Sequence, residues 1–251
     1  MTKISTKNSS RAGFLDEVRG FAIICMVVYH VLFDLKYLHG VNVPVFFDDW
    51  FDTIRDIFAG AFIFISGTVC RYSRSNYKRG VQCFFIGMII TFVTAFVTPQ
   101  FPVYFGILHL LGISMLIFAL TEPILDKLPP FVGVLLFALL FIATYSVTGG
   151  YIGIKGVFSL NLPDVIYSAK LLFPLGFPSR GFSSGDYFPL LPWLFLFLSG
   201  SFFGVWAVRG QLPRFFYNTH VRFLAYTGRY TLWIYVLHQP LAYIIMMWIF
   251  G

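Results

Sequence analysis

Long apolar segments, separated by short polar connections, run along the whole chain of 251 residues. An apolar helix of about 20 residues crosses the ~30 Å hydrocarbon core of a bilayer. The chain contains seven apolar segments near this length, at about 15–38, 53–72, 79–98, 104–122, 130–148, 188–208 and 226–250. The pattern therefore predicts an all-α, polytopic membrane bundle of about seven transmembrane helices, with residues 1–251 forming a single domain.

The composition excludes an ordinary soluble domain. Hydrophobic residues make up 58% of the chain and charged residues only 12%, whereas a soluble domain carries about 25% charged residues. The net charge of +7 does not require nucleic acid, because excess Lys and Arg mark the cytoplasmic loops of membrane proteins. The three cysteines, Cys25, Cys70 and Cys83, lie in or beside apolar segments, which indicates packing rather than disulfides. No spacing of Cys and His predicts a metal site.

The distribution of basic residues predicts the orientation. With the N-terminus in the cytoplasm, twelve of the eighteen Lys and Arg residues fall on the cytoplasmic side and five on the other, with Arg19 inside the first span. This bias favours an N-in, C-out topology. Residues 1–13 are then a cytoplasmic tail and not a cleaved signal peptide. Residues 149–187 form a long extracytoplasmic loop, in which we expect a short interfacial helix near Asp164–Leu172.

The first span carries ionisable residues on one face. At ~100° per residue, Asp16, Arg19, His30 and Asp34 fall within a stripe roughly 60° wide. A charged residue at the centre of a membrane helix costs about 2.5–3.5 kcal/mol on insertion scales, so a functional site is the first hypothesis. In that hypothesis His30 is a general base, and Asp34, one turn away, orients the imidazole. The alternative is a polar network that holds the helices together.

Two further histidines and an Asp-Tyr pair are candidates for a site. His109 lies in the fourth span, about five residues from its outer end, and His238 precedes Pro240 in the seventh span. Pro240 removes a backbone donor, and the resulting kink can line a cavity. Asp186 and Tyr187 stand at the outer start of the sixth span, where the carboxylate either complements the helix dipole or contacts an acceptor. For both histidines the alternative role is packing.

A basic cluster lies in the loop between the second and third spans. It consists of Arg71, Arg74, Lys78 and Arg79. Arg and Lys are natural partners for phosphate groups such as those of coenzyme A. Positive-inside topology and contact with anionic lipid explain the same cluster without a ligand. No glycine-rich phosphate loop of the Walker or dinucleotide type is present in the sequence.

Five stretches, in order along the chain, resemble motifs of the transmembrane acyltransferase superfamily. They are Arg11 with Leu15–Gly20 and His30, Phe64–Gly67, Phe105–Gly112, Asp186–Trp193, and Gly228–Tyr230 with Tyr235–Pro240. The first is similar to the opening of the superfamily, in which an Arg-Gly pair precedes a His by this interval. The other four are similar to stretches in the branch named for heparan-α-glucosaminide N-acetyltransferase. The resemblance covers most of the chain.

The resemblance implies a cytoplasmic acyl-CoA donor, an acceptor on the far side of the membrane that is often a sugar, and a buried polar site where the two meet. In the lysosomal enzyme of that branch an Asn stands at the position of His30, and its own His lies nearer the position of His39. Here His109 and Leu110 replace the Gln-Arg pair that is common after Gly-Ile-Leu. The acting imidazole is therefore left open among His30, His39 and His109.

Together these observations predict an integral membrane acyltransferase of the bacterial plasma membrane. It would move an acyl group, with acetyl the expected one, from acetyl-CoA or another acyl-CoA to an extracytoplasmic sugar or glycan. His30 or His109 would remove the acceptor proton, and Asp34 would orient the imidazole. We expect donor or acceptor contacts from the remaining candidates, Arg19, Asp16, Arg71, Arg74, Arg79, Asp186, Tyr187 and His238. Membrane lipids are further partners, no metal or nucleic acid is expected, and the oligomeric state, a homodimer included, is left open.

Two other classes of function stay open. A small transporter or permease would use the intramembrane His and Asp as a proton relay, although the chain shows no repeated or inverted halves. A structural subunit or polysaccharide-export partner would need no catalytic His. Transfer or hydrolysis of acetyl-CoA by the purified protein separates the acyltransferase from both.

Overall fold

The structure is a computed structural model that describes residues 12–44 and 49–250, and of Asp49 only the backbone. The chain is 71% helical, and within the described ranges seven helices are long and apolar enough to cross a membrane. The prediction of an all-α, polytopic membrane protein with seven spans is therefore confirmed. The N-in, C-out orientation and the single domain stay predictions. Among the motif residues, Arg11 lies outside the described residues.

Seven long helices provide the spans. They are α1 (Gly13–Tyr37), α2 (Asp49–Cys70), α3 (Asn76–Val97), α4 (Ile107–Leu125), α5 (Pro130–Thr144), α6 (Leu190–Val208) and α9 (Thr231–Phe250). The fifth span continues beyond α5 through a 3-10 turn to Gly149. Local sequence sets several helix starts. The Ser75 side chain caps α3 by accepting the Lys78 N–H, and Pro130 opens α5, where its missing N–H donor is not needed.

The seventh span begins later than predicted. The sequence predicts one helix over about 226–250, but the backbone of Tyr230 is not helical (φ −107°, ψ 15°) and separates α8 (Arg222–Arg229) from α9. A four-residue helix, α7 (Arg214–Tyr217), precedes α8. The helix α8 carries polar side chains and packs along α1 instead of extending the span. Glu17 of α1 fixes its start, because the carboxylate accepts the Val221 N–H at 3.0 Å.

The loop at 149–187 contains a β-hairpin that the sequence analysis missed. Strand β1 (Tyr151–Ile154) pairs antiparallel with β2 (Phe158–Asn161). The helix expected near Asp164–Leu172 is a 3-10 helix of five residues, Asp164–Ser168, which starts directly after Pro163. Glycine and proline suggested irregular loop over this stretch, whereas the alternation of apolar and small or polar residues in each strand was the signal for the hairpin.

Contacts divide the chain into two compact units: unit 1 contains residues 1–65 and 210–251, and unit 2 contains residues 66–209. In unit 1, α1 packs against α8 and α9. Gly20 and Gly228 allow the backbones of α1 and α8 to touch, because a Cβ atom at either position would collide with a carbonyl oxygen of the other helix. In unit 2, α3 packs on α4, and α5 packs on α6.

Candidate functional site

The ionisable stripe of α1 faces the interior of unit 1. His30 and Asp34 are buried, with relative exposures of 8% and 3%, and Asp16 is buried at 4%. Their common burial agrees with the face predicted from the spacing. Burial of three ionisable side chains in a spanning helix is costly unless partners compensate it, so the identity of those partners decides what the stripe can do.

The partners of the C-terminal half of the stripe come from α9. The rings of His30 and His238 lie with their centroids 5.2 Å apart. One turn further along α1, Gln239 donates its amide N–H to Asp34 Oδ2 at 3.0 Å and to Oδ1 at 3.3 Å. Two adjacent residues of α9 therefore contact two residues of α1 that are one helical turn apart.

The carboxylate of Asp34 does not orient His30 as the spacing suggested. Within the described residues, the hydrogen bonds to the Asp34 side chain come from Gln239. Both carboxylate oxygens accept from the same amide group on α9, so the side chain is directed across the helix pair rather than along α1. The expected orienting bond from Asp34 to His30 is therefore replaced by a bond between helices.

The imidazole of His238 has an orienting partner of its own. Its Nδ1 lies 2.6 Å from the carbonyl oxygen of Tyr235. Because a carbonyl only accepts, Nδ1 carries the proton, and in the neutral ring the lone pair is on Nε2. The structure thus fixes for His238 the tautomer in which Nε2 is the basic nitrogen.

Nε2 of His30 and Oε1 of Gln239 are buried at this position and have no hydrogen-bond partner in the part of the chain that the structure describes. Buried polar atoms in proteins are hydrogen-bonded in the great majority of cases, and an exception needs an explanation. An imidazole nitrogen that can accept a proton, beside an amide oxygen that can accept a hydrogen bond, suits a ligand that carries a hydroxyl or amine.

His39 follows the end of α1. Its ring stacks on Phe250, the last residue of α9, with a centroid distance of 4.9 Å. Its Nε2 is buried and also lacks a hydrogen-bond partner among the described residues. The ring of His30 lies in addition beside a second imidazole, that of His238, and both His30 and His39 stay candidates for the acting base.

The N-terminal half of the stripe joins two of the motif stretches. Arg19 donates to the hydroxyl of Thr231, the first residue of α9, at 2.7 Å. The Asp16 carboxylate lies 3.9 Å from Nε of Arg229 at the end of α8. The opening motif and the Gly228–Tyr230 stretch are thus brought together although about 210 residues separate them in sequence.

A polar cluster beside His30 was missed by the sequence analysis. Arg55 of α2 donates to the Tyr29 hydroxyl and to Asp52, both at 3.1 Å, and to Asp56 at 2.9 Å. The Tyr29 ring lies 5.8 Å from the ring of His30. In the distribution of basic residues that predicted the orientation, Arg55 was only one of the five Lys and Arg residues on the outer side. The signal that could have found the cluster is an Arg within a spanning segment flanked by Asp52 and Asp56.

His109 is held entirely within unit 2. Its Nδ1 accepts the N–H of Gly106 at 3.2 Å, and its Nε2 lies 3.3 Å from the Thr91 hydroxyl, which itself donates to Val103 O. The Thr91 oxygen therefore accepts from Nε2–H, and both ring nitrogens are occupied. His109 lies in the first turn of α4, not about five residues into the span, because α4 begins only at Ile107. A catalytic role for His109 stays a prediction, and these bonds favour a structural one.

Asp186 caps a different helix from the one expected. Its Oδ2 accepts the Ile107 N–H at 3.1 Å, at the start of α4 rather than α6. Tyr187 donates its hydroxyl to Phe173 O at 2.6 Å. Burial, and then the neighbouring Tyr167, raise the pKa of Tyr187, so the phenol remains a neutral donor. Both side chains fasten the 149–187 loop to unit 2.

The basic cluster divides into one buried and three exposed members. The guanidinium of Arg71 bonds to Asp126 at 2.6 Å and to Ser201 O at 3.0 Å, and lies 4.8 Å from the Phe118 ring centre. A longer contact of 3.4 Å joins it to Glu122. The three exposed members are Arg74, Lys78 and Arg79. Only the exposed members have charges that an incoming phosphate could meet directly.

Comparison with known families gives one match across most of the chain. A family model described as "Heparan-alpha-glucosaminide N-acetyltransferase, catalytic" matches residues 11–240. Comparisons with curated proteins and with solved structures give no match. In the described ranges, no group of three or more His, Cys, Asp or Glu side chains is arranged to hold a metal ion.

Proposed function

Since the chain belongs to the heparan-α-glucosaminide N-acetyltransferase catalytic family, a family of membrane acetyltransferases, we propose that it transfers an acetyl group from cytoplasmic acetyl-CoA to a sugar or glycan on the opposite side of the membrane. The membrane in question is the bacterial plasma membrane. The acceptor presents a hydroxyl or an amine, because the reaction needs a nucleophile that loses a proton.

The observation that carries the proposal is the pair of buried polar atoms, His30 Nε2 and Gln239 Oε1, that lack partners among the described residues. An acceptor hydroxyl or amine would give its proton to His30 Nε2, while Gln239 Oε1 holds a second hydrogen of the acceptor. His238, with its basic Nε2 fixed by Tyr235, provides a second site for the proton. General bases of this kind contribute about 10²–10⁴-fold to a rate.

The reaction then proceeds by direct transfer. The acceptor oxygen or nitrogen attacks the carbonyl carbon of the thioester, and the bond from that carbon to the sulfur of CoA breaks. The proton held by His30 passes to the leaving thiolate, so the imidazole returns to its neutral form. Asp34 does not take part in proton transfer in this scheme, and through Gln239 it holds the amide at its position beside His30.

Donor binding is assigned to basic residues at the cytoplasmic side. Arg74 and Arg79 are exposed and would bind the phosphates of CoA. Arg19 lies eleven residues before His30 on α1, or ~16 Å along the axis, which suits contact with the pantetheine chain rather than with the reacting atoms. The N-in orientation, which places these residues in the cytoplasm, is part of the proposal.

The first test is acceptor-dependent turnover by the purified wild-type protein. The protein in lipid vesicles receives acetyl-CoA and a panel of amino sugars and neutral sugars, and free CoA thiol is measured with and without each acceptor. The proposal expects CoA release that rises with an acceptor and an acetylated product of matching amount. Proton flux across the vesicle membrane without any CoA release would instead support the proton-coupled transporter.

A further inference from the structure

The β-hairpin of unit 2 has two chemically different faces. In the register of the hairpin, Ile152 pairs with Leu160 and Ile154 pairs with Phe158. Residues that are directly opposite, and every second residue along a strand, share a face. One face is therefore formed by four large apolar side chains. The opposite face carries Tyr151, Gly153, Ser159 and Asn161.

Most of the apolar face is not covered by the described protein: Ile152 is half-buried, and the other three side chains are exposed. Phe158 is 69% exposed, Leu160 58% and Ile154 50%, and Val157 in the turn is 83% exposed. An isolated two-stranded hairpin is marginally stable in water, and a contiguous exposed apolar patch marks an interaction site. We therefore expect an apolar partner to cover this face.

The position of the hairpin restricts what the partner can be. The fifth membrane span ends at Gly149, and β1 begins two residues later at Tyr151 and packs against α5. A strand of four residues is only about 13 Å long. The whole hairpin therefore stays within the depth of the lipid headgroup region and the adjoining acyl chains at the end of that span.

The turn of the hairpin supplies a charge suited to a phospholipid. Lys155 lies at the turn, with Nζ 4.9 Å from the ring centre of Tyr151. Lys side chains bury their methylene groups in apolar surroundings while the ammonium reaches phosphate oxygens. Tyr at the same level is typical of the membrane–water interface.

We propose that the β1–β2 hairpin is an interfacial membrane anchor. Its apolar face, Ile152, Ile154, Phe158 and Leu160, inserts among the upper acyl chains of the leaflet at which the fifth span ends, and Lys155 binds lipid phosphates. The opposite face, with Ser159 and Asn161, is directed to water. The anchor fixes one end of the 149–187 loop to the lipid, independently of the acyl transfer reaction.

The test places a fluorescent reporter on each face of the hairpin. In the full-length protein with Cys25, Cys70 and Cys83 replaced by Ala, the single substitutions Phe158→Cys, Leu160→Cys and Ser159→Cys are labelled with an environment-sensitive dye. The labelled proteins are inserted in vesicles of phosphatidylglycerol and phosphatidylcholine. Quenching is measured with spin-labelled acyl chains and, separately, with aqueous iodide. Ser159 is the matched control, because it is exposed like its neighbours but belongs to the other face.

The anchor predicts that dyes at 158 and 160 are quenched by spin-labelled lipid and protected from iodide, and that the dye at 159 shows the reverse. Equal iodide quenching at all three positions would overturn the proposal. Protection of 158 and 160 from both quenchers would also overturn it, since the apolar face would then be covered by protein. Energy transfer between two labelled chains would identify that protein as a second copy.

Discussion

Two buried histidines, one in each unit, show what separates a candidate catalytic residue from a structural one. His30 and His109 both lie in spanning helices, and their exposures are 8% and 2%. Both nitrogens of His109 have hydrogen-bond partners within unit 2, whereas His30 Nε2 has none among the described residues. Burial in a membrane helix is common to both, so the unmet hydrogen bond, and not burial, points to chemistry.

Solvent exposure, in contrast, separates the arginines of the basic cluster. Arg71 is buried and is held by Asp126 and by the carbonyl oxygen of Ser201. Arg74 and Arg79 are exposed. An arginine held by a carboxylate and a carbonyl oxygen stabilises the fold, and an arginine exposed to solvent can bind a phosphate. Three predictions test this distinction, from the largest expected effect to the smallest.

Replacing His30 should give the largest effect, and it should be kinetic. We expect His30→Ala to lower the rate of acetyl transfer by about 10²–10⁴-fold, because the acceptor proton loses its base. Binding of CoA and the thermal unfolding temperature should stay close to those of the wild type. The rate is measured as acceptor-dependent CoA release, and folding by thermal unfolding in detergent. A large fall in unfolding temperature with residual activity would instead indicate a structural network.

Neutralising the exposed arginines should weaken donor binding. We expect Arg74→Gln combined with Arg79→Gln to raise the Kd for CoA by about 10–100-fold, since hydrogen bonds to charged groups contribute about 1.5–3 kcal/mol. The loss should shrink at high salt, which screens exposed charges. Arg71→Gln is the matched control and should lower the unfolding temperature with little change in Kd. Equal Kd values for the wild type, the double variant and Arg71→Gln would contradict phosphate binding by Arg74 and Arg79.

Disrupting the hydrogen bonds of His109 should have the smallest effect, on stability alone. Thr91→Val keeps the side-chain shape but removes the acceptor of Nε2–H and the donor to Val103 O. We expect a loss of about 1–3 kcal/mol in the free energy of unfolding, with the transfer rate changed less than about threefold. Denaturant unfolding and the CoA-release assay measure the two quantities. A rate loss as large as that of His30→Ala would make His109 part of the catalytic machinery.

Local pattern predicted a substantial part of this molecule. Segment length and hydropathy predicted seven spans, and the 3.6-residue period predicted the buried face of α1 that carries Asp16, His30 and Asp34. These properties depend on residues close together in sequence, where helix geometry determines the outcome. The motif resemblance added the family, which the match over residues 11–240 shows.

Pairings between distant segments could not be predicted from the sequence. Gln239 binds Asp34 across 205 positions, and Asp186 caps α4 across 79 positions. A single sequence contains no measure of which segments meet, so the spacing of His30 and Asp34 suggested a local partner where a distant one is used. The hairpin was missed for another reason, because its glycines indicated irregular loop more strongly than its short strands indicated sheet.

The most direct test of the central claim compares two matched substitutions at the two histidines. The rates of acetyl transfer by His30→Gln and His109→Gln are measured side by side, at equal concentrations of protein that binds CoA. The account predicts a rate at least ~10²-fold lower for His30→Gln than for His109→Gln, because His30 has a ring nitrogen available to the acceptor and both ring nitrogens of His109 are hydrogen-bonded. Equal rates, or a lower rate for His109→Gln, would contradict the assignment of His30 as the base.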